Sequence, residues 1–218
     1  MEGAGVRAIG VPSSASSGRP PAVIATIAAV AAVTALASSA PAEAHLVTTG
    51  LGPVYDGVSH LLVSFDDLLP VLAFALLAGL NGAAAGRRAL FLLPCAWLVS
   101  GFAGHALRLA PLPGAVAALS LLALGVLTAL DRRLPPAAIA LLATALGGLH
   151  GWSNGAALAL DGREASSLLG IGAALFVLVA LTAALVCRLE RPWTRIAVRV
   201  AGSWAAAIGL LMLGWALR

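Results

Sequence analysis

Six long runs of apolar residues occupy most of the sequence from position 58 onward, and they limit the available folds more than any other feature. Each run has about the length that a helix needs to cross a bilayer core of about 30 Å. Lipid offers no hydrogen-bond partner to backbone groups, and no barrel-like alternation appears, so helices are expected. The runs are Val58–Leu80, Ala89–Leu107, Ala115–Leu130, Pro136–Leu160, Ser167–Cys187 and Ile196–Leu217.

The composition supports a membrane protein. Hydrophobic residues make up 61% of the 218 positions and charged residues only 10%, whereas soluble domains carry about 25% charged residues. The net charge of +4 does not indicate nucleic-acid binding, because the arginines lie singly or in pairs between apolar runs, as charges that orient membrane helices do. The predicted fold class is therefore an all-α, polytopic membrane helix bundle with six transmembrane helices.

The first 44 residues are typical of a secretory signal peptide. Arg7 and Arg19 precede an apolar, alanine-rich core at Ala22–Ala37, and Ala42-Glu43-Ala44 fits a small-x-small cleavage site. Cleavage would give a signal peptide at residues 1–44 and a transmembrane domain at residues 45–218, whose first residue is His45. The alternative is an uncleaved first helix, but a core of about 16 residues is short for a span.

Arginine distribution predicts the orientation. The positive-inside rule places arginine-rich connections in the cytoplasm, which leaves both mature termini outside a bacterial inner membrane. The second and fourth connections hold only Arg108 and Arg163. The first, third and fifth connections hold Arg87, Arg88, Arg132, Arg133, Arg188, Arg191 and Arg195.

Ionisable and polar side chains inside the runs are the candidate functional residues. A charge deep in a bilayer costs roughly 2.5 kcal/mol or more, so such groups tend to face a bundle interior, a partner or an ion. With the predicted orientation they share one depth in the outer half of the bundle, around an outward-facing cavity. They are His60, Asp66 and Asp67 in the first run, His105 in the second, and His150 and Asn154 in the fourth.

Spacing separates these candidates into pairs. His150 and Asn154 are four residues apart, so they share a helix face about 6 Å apart along the axis and could contact one ion. His60 and Asp67 are seven apart, or about 10 Å, and cannot share an ion unless the helix is broken.

Each candidate also has an ordinary structural interpretation. His60 could be an interfacial histidine, and Asp66 could be an N-terminal carboxylate if the true helix begins at position 64 or 65. His105 could be a partner of nearby Arg108, and Asn154 could simply hydrogen-bond across helices. A mature N-terminal His45 offers an amine and an imidazole to a metal, as His105 offers an imidazole, and both are weaker candidates.

The first of these segments resembles the HupE/UreJ family of small bacterial membrane proteins, which is associated with nickel and cobalt uptake. The family's first helix carries HPxxGxDH, and the matching stretch here runs from His60 to Asp67. His60 and Asp66 match the motif. Leu61, Ser64 and Asp67 stand where the motif has Pro, Gly and the final His.

The fourth run resembles the family's second motif, HGxAHGxE. His150, Gly151 and Gly155 match it, whereas Asn154 replaces the second His and Ala157 replaces the Glu. Asp67 and Asn154 move the implied ligand set from nitrogen towards oxygen, which suits harder ions.

The resemblance implies a secondary transporter, not an enzyme, for a divalent transition metal, nickel or cobalt. The implied metal residues are His60, Asp66, Asp67, His150 and Asn154, and no permanently bound cofactor is expected. Besides the bilayer and the ion, partners left open are a second copy and metalloenzyme maturation proteins. The alternative is a non-transporting membrane accessory or assembly protein with a decayed metal site.

Overall fold

All regular secondary structure in residues 48–218, the part of the chain that the computed structural model describes, is helical. The predicted signal peptide at residues 1–44 and the candidate ligand His45 lie outside the described residues. The helices of the described part are α1 Pro53–Val63, α2 Phe65–Leu80, α3 Ala83–Leu107, α4 Gly114–Ala129, α5 Pro136–Leu160, α6 Ser167–Cys187 and α7 Pro192–Ala216.

A break at Ser64 divides the first apolar run into two helices. Ser64 has an extended backbone (φ −78°, ψ 93°), and α1 and α2 meet at 75°. The expectation of one continuous helix over Val58–Leu80 is therefore wrong, and the alternative with a helix start near position 65 is confirmed. Asp66 and Asp67 lie in the first turn of α2, where the positive end of the helix dipole favours carboxylates.

Two other helices begin earlier than hydropathy predicts. α3 starts at Ala83 and not at Ala89, so Arg87 and Arg88 lie in its second turn and not in a connection. α7 starts at Pro192, four residues before the predicted Ile196. Alanine and arginine are strong helix formers, and proline suits the first turn of a helix, but an apolarity window registers neither property.

Length and apolarity mark three of the described helices, α3, α6 and α7, as candidate membrane spans, and the α1–α2 pair is a fourth if it counts as one broken span. α4 is apolar but only 16 residues long. α5 has 25 residues and is not among the candidates, because polar residues such as His150 and Asn154 interrupt its apolar sequence. The chain is thus a multi-pass helical membrane protein, with three to four of the six expected spans supported by these criteria.

Glycines on one face of α5 bring its backbone against α3. A Cβ atom added at Gly147, Gly151 or Gly155 would lie 2.6, 2.3 or 1.9 Å from the carbonyl oxygens of α3 residues. Small residues at four-residue spacing are a common means of close helix packing in lipid. This contact fixes α5, which carries His150 and Asn154, at a set height along α3.

Polar contacts between connections show which ends of the helices meet. Asn81, after α2, accepts a hydrogen bond from the N–H of Leu134 before α5 (2.8 Å). Asp131, after α4, pairs with Arg195 in the first turn of α7 (2.7 Å). The first, third and fifth connections therefore lie at one end of the bundle, called here the arginine-rich end.

At the opposite end of the bundle, an ion pair joins α1 to the connection between α5 and α6. Asp56 of α1 accepts hydrogen bonds from the N–H and hydroxyl of Thr49 (2.6 and 2.7 Å) and lies 3.5 Å from Arg163, between α5 and α6. The start of α1 and the fourth connection therefore lie together at this end of the bundle.

The α3–α5 contact gives a testable expectation. Gly155→Ala places a methyl group against the Gly101 backbone, and overpacking of this kind costs about 1–3 kcal/mol. We expect a melting temperature lower by about 2–12 °C, since about 1 kcal/mol shifts it by about 2–4 °C in a chain of this size. The measurement is thermal unfolding of the purified protein, followed by circular dichroism in one detergent.

Gly148→Ala on the same helix is the matched control. Its added methyl group would meet nothing within 4 Å, and alanine gains up to about 1 kcal/mol of helix propensity over glycine. Its melting temperature should be unchanged or raised. Equal melting temperatures for the two variants would contradict the tight α3–α5 packing.

Candidate functional site

The break at Ser64 brings the end of α1 and the start of α2 to the same residue of α5. His60 Nε2 lies 2.8 Å from Asn154 Oδ1, and Asn154 Nδ2 lies 2.8 Å from Asp67 Oδ2. A straight helix would hold His60 and Asp67 about 10 Å apart along its axis. His60 and Asp67 were expected to share a site only if the helix between them were broken, and the structure has that break at Ser64.

Asp67 is the centre of this arrangement. Its Oδ1 lies 2.8 Å from His150 Nδ1, and its Oδ2 accepts from the Asn154 amide, so both carboxylate oxygens have partners on α5. The exposed fractions of Asp67, His150 and Asn154 are 7%, 4% and 5%. A carboxylate this buried needs such donors, because burial without them is costly. The structure thus joins Asp67 and His150, as the common-depth prediction requires.

The acceptor character of a carboxylate assigns the protons. An ionised Asp67 can only accept, so His150 donates through Nδ1 and Asn154 donates through Nδ2. Asn154 Oδ1 must then accept from His60 Nε2. In their neutral forms, His150 keeps a lone pair on Nε2 and His60 keeps one on Nδ1.

Ser120 of α4 completes the chain of hydrogen bonds at His150. Its Oγ lies 2.9 Å from His150 Nε2 and 2.8 Å from the carbonyl oxygen of Ala117. The hydroxyl can donate to a neutral His150, or donate to Ala117 and accept from a protonated one. The order of hydroxyl, imidazole and carboxylate is that of a hydrolase triad, but Ser120 lies within a helix where Ala117 competes for its proton.

Trp97 of α3 packs against the ring of His150. Its ring lies 5.5 Å from the His150 ring, centroid to centroid, at an interplanar angle of 31°. Trp97 is fully buried. Within residues 48–218, its Nε1 is the one buried side-chain nitrogen or oxygen that has no hydrogen-bond partner. An unpaired buried donor costs about 1–3 kcal/mol. The glycine contact between α3 and α5 holds the two rings together.

Two predicted site residues within residues 48–218, Asp66 and His105, form no hydrogen bond to this cluster. Asp66 is exposed, although it precedes Asp67. His105 does not pair with Arg108: its Nε2 lies 3.0 Å from the carbonyl oxygen of Arg163. Within residues 48–218, no group of three or more His, Cys, Asp and Glu side chains is placed to hold one metal ion. The metal-ligand roles of His60, Asp66, Asp67, His150 and Asn154 therefore stay predictions.

Sequence reasoning missed two members of the site, Ser120 and Trp97. Ser120 is an isolated polar residue within the third apolar run, and hydroxyl groups in membrane helices commonly bond to their own backbone. Trp97 is one of several tryptophans in apolar runs. Neither signal distinguishes a site residue from a packing residue before the helices are placed.

The family model described as HupE / UreJ protein matches residues 20–212, which is most of the chain. No curated protein matches the sequence, and no solved structure matches it.

Variants of the two neighbouring carboxylates on α2, Asp66 and Asp67, test the geometry of the site. Asp67→Asn cannot offer two acceptor oxygens, and loss of a hydrogen bond to a charged group costs about 1.5–3 kcal/mol. We expect the melting temperature of Asp67→Asn to fall by several degrees in the same detergent. Asp66→Asn is the matched control, because Asp66 is exposed, and should melt close to the wild type. If both variants melt alike, the carboxylate of Asp67 does not hold α2 against α5.

Proposed function

The chain belongs to the HupE/UreJ family, and from that premise we propose that it is a secondary transporter of a divalent transition-metal ion, nickel or cobalt, across the bacterial inner membrane. The family is a family of transporters associated with nickel and cobalt uptake, not of enzymes. The observation that carries the proposal is the hydrogen-bonded chain of side chains from the half-buried His60 through the buried Asn154 and Asp67 to His150, inside a membrane bundle.

The donor atoms in this cluster suit a borderline transition metal. The lone pairs on His150 Nε2 and His60 Nδ1 are imidazole ligands of the kind that nickel and cobalt accept. Asp67 holds the other nitrogen of His150, and a carboxylate in that position orients a metal-binding histidine and raises its basicity. Asp67 therefore acts first by orienting His150, and supplies negative charge close to the ion.

Ion entry requires the cluster to rearrange. The two lone-pair nitrogens face different neighbours: Ser120 lies 2.9 Å from His150 Nε2, and Ser64 lies 3.5 Å from His60 Nδ1. An ion that binds either nitrogen displaces a serine hydroxyl. His60 is joined to Asn154 by one hydrogen bond, so ion binding at His60 also changes the contact between α1 and α5.

Transport would be driven by the membrane potential, by a proton gradient or by a partner protein. A doubly charged ion that enters a negative-inside cell gains about 4.6 kcal/mol per 100 mV. The orientation proposed is six crossings, with the arginine-rich end in the cytoplasm and both mature termini outside. The link between Asp56 and Arg163 at the opposite end is consistent with this alternation.

A second candidate function is a membrane accessory or assembly protein without transport. The observation that favours it is the completeness of the hydrogen bonding: Asp67, Asn154 and His150 are all satisfied by one another and by neighbouring side chains. In that case the cluster would join helices and would not carry an ion.

Metal uptake separates the two functions. We expect His150→Ala to lower accumulation of radioactive nickel or cobalt by about 10–100-fold, the usual cost of disturbing a metal ligand or its orienting partner. Asp67→Asn should have a similar effect. The measurement is uptake by cells that express each variant, normalised to the amount of protein in the membrane.

His105→Ala is the control, because His105 is a half-buried histidine bonded to a backbone carbonyl away from the cluster. It should transport as the wild type does. Uptake that is unchanged in His150→Ala at equal abundance would reject the transporter and favour the accessory protein.

A further inference from the structure

We propose that a cleft at the arginine-rich end of the bundle binds one anionic phospholipid. Its hydrocarbon chain would lie between α3 and α6, and its phosphate would lie between Arg87 and Arg188. This site is separate from the polar cluster, the hydrogen-bonded side chains of His60, Asp67, His150 and Asn154, and the proposal does not depend on the transported ion.

Small residues create the cleft. It has a volume of about 370 Å³ and lies between the first two turns of α3 and the last three turns of α6, within the range of about 300–1,000 Å³ for small-molecule sites. A Cβ atom added at Gly86 would lie only 3.4 Å from the Ala183 Cβ, so the helices approach closely at this point. Ala184, Leu90 and Val179 supply further apolar lining.

Two guanidinium groups at the cleft give it a charge preference. Arg87 and Arg188 both line it and are exposed, and neither side chain has a hydrogen bond or ion pair with another described residue. Arg195 in the first turn of α7 differs from them, because it pairs with Asp131 at 2.7 Å. Guanidinium groups bind phosphate oxygens in a bidentate manner. Two guanidinium groups beside an apolar cleft therefore favour an anionic ligand with an apolar part, and a phosphate group suits both of them.

The dimensions of the cleft favour a lipid over a polypeptide. Val179 on α6 and Arg188 directly after it are nine residues apart, which is about 14 Å along the axis and close to half of a bilayer core of about 30 Å. The apolar part thus spans one leaflet, with the arginines at its surface. Basic pockets between membrane helices on the cytoplasmic side commonly bind anionic headgroups.

The test compares two lipids with identical acyl chains on the purified protein in a neutral detergent. We expect phosphatidylglycerol to raise the melting temperature by about 2–4 °C near saturation, and phosphatidylcholine to raise it much less. Native mass spectrometry should detect one retained phosphatidylglycerol. The double variant Arg87→Gln/Arg188→Gln should lose both effects.

Arg132→Gln/Arg133→Gln is the matched control. It removes the same charge from two exposed arginines at the same end but outside the cleft, and should keep both effects. Ala184→Phe provides a second variant that retains the arginines, and its ring should fill the cleft and lower the retained lipid.

Three outcomes would overturn the proposal. Equal stabilisation by both lipids would indicate ordinary surrounding lipid only. Equal losses in the two arginine pairs would indicate diffuse attraction to the arginine-rich end. A change from dimer to monomer in Ala184→Phe, with lipid retention unaffected, would assign the cleft to a second copy of the chain.

Discussion

The buried carboxylate of Asp67 is the interaction on which the arrangement of the polar cluster depends. Removed from water, a carboxylate requires hydrogen-bond donors close to both oxygens. His150 and Asn154 supply them from positions four residues apart on α5, the spacing that puts two side chains on one helix face. The first turn of α2 can therefore meet α5 at only one height.

Two backbone features make this meeting possible. The break at Ser64 turns α1 away from α2 by 75°, so that His60 returns to Asn154 and does not continue along the α2 axis. The glycines of α5 let α3 approach closely enough for Trp97 to cover His150. α5 carries most of the site, and backbone contact with α3 holds it where polar side chains interrupt its apolar surface.

Two of the residues that depart from the family motifs, Asp67 and Asn154, are in contact with each other. Asp67 stands at the final histidine of the first motif, Asn154 stands at the second histidine of the second motif, and they form a hydrogen bond of 2.8 Å. An acid and an amide at adjacent positions satisfy each other where two imidazoles would offer two nitrogen ligands. These two replacements of histidine therefore change one local pair, and the imidazoles of His60 and His150 remain in the cluster.

The sequence by itself determined the helical membrane class, the alternation of the connections and the residues of the polar cluster. These follow from apolar run length, arginine distribution and the cost of charge in lipid, all of which are local properties. Even the break had a local signal, since Ser64 followed by Asp66 and Asp67 has the composition of a helix start. Only the tertiary structure decided that His60 reaches Asn154, that Ser120 and Trp97 enclose His150, and that Asp66 stays exposed. Those contacts join residues 30 to 94 positions apart, and the glycines that set their distances carry no side chain whose pattern could indicate a partner helix.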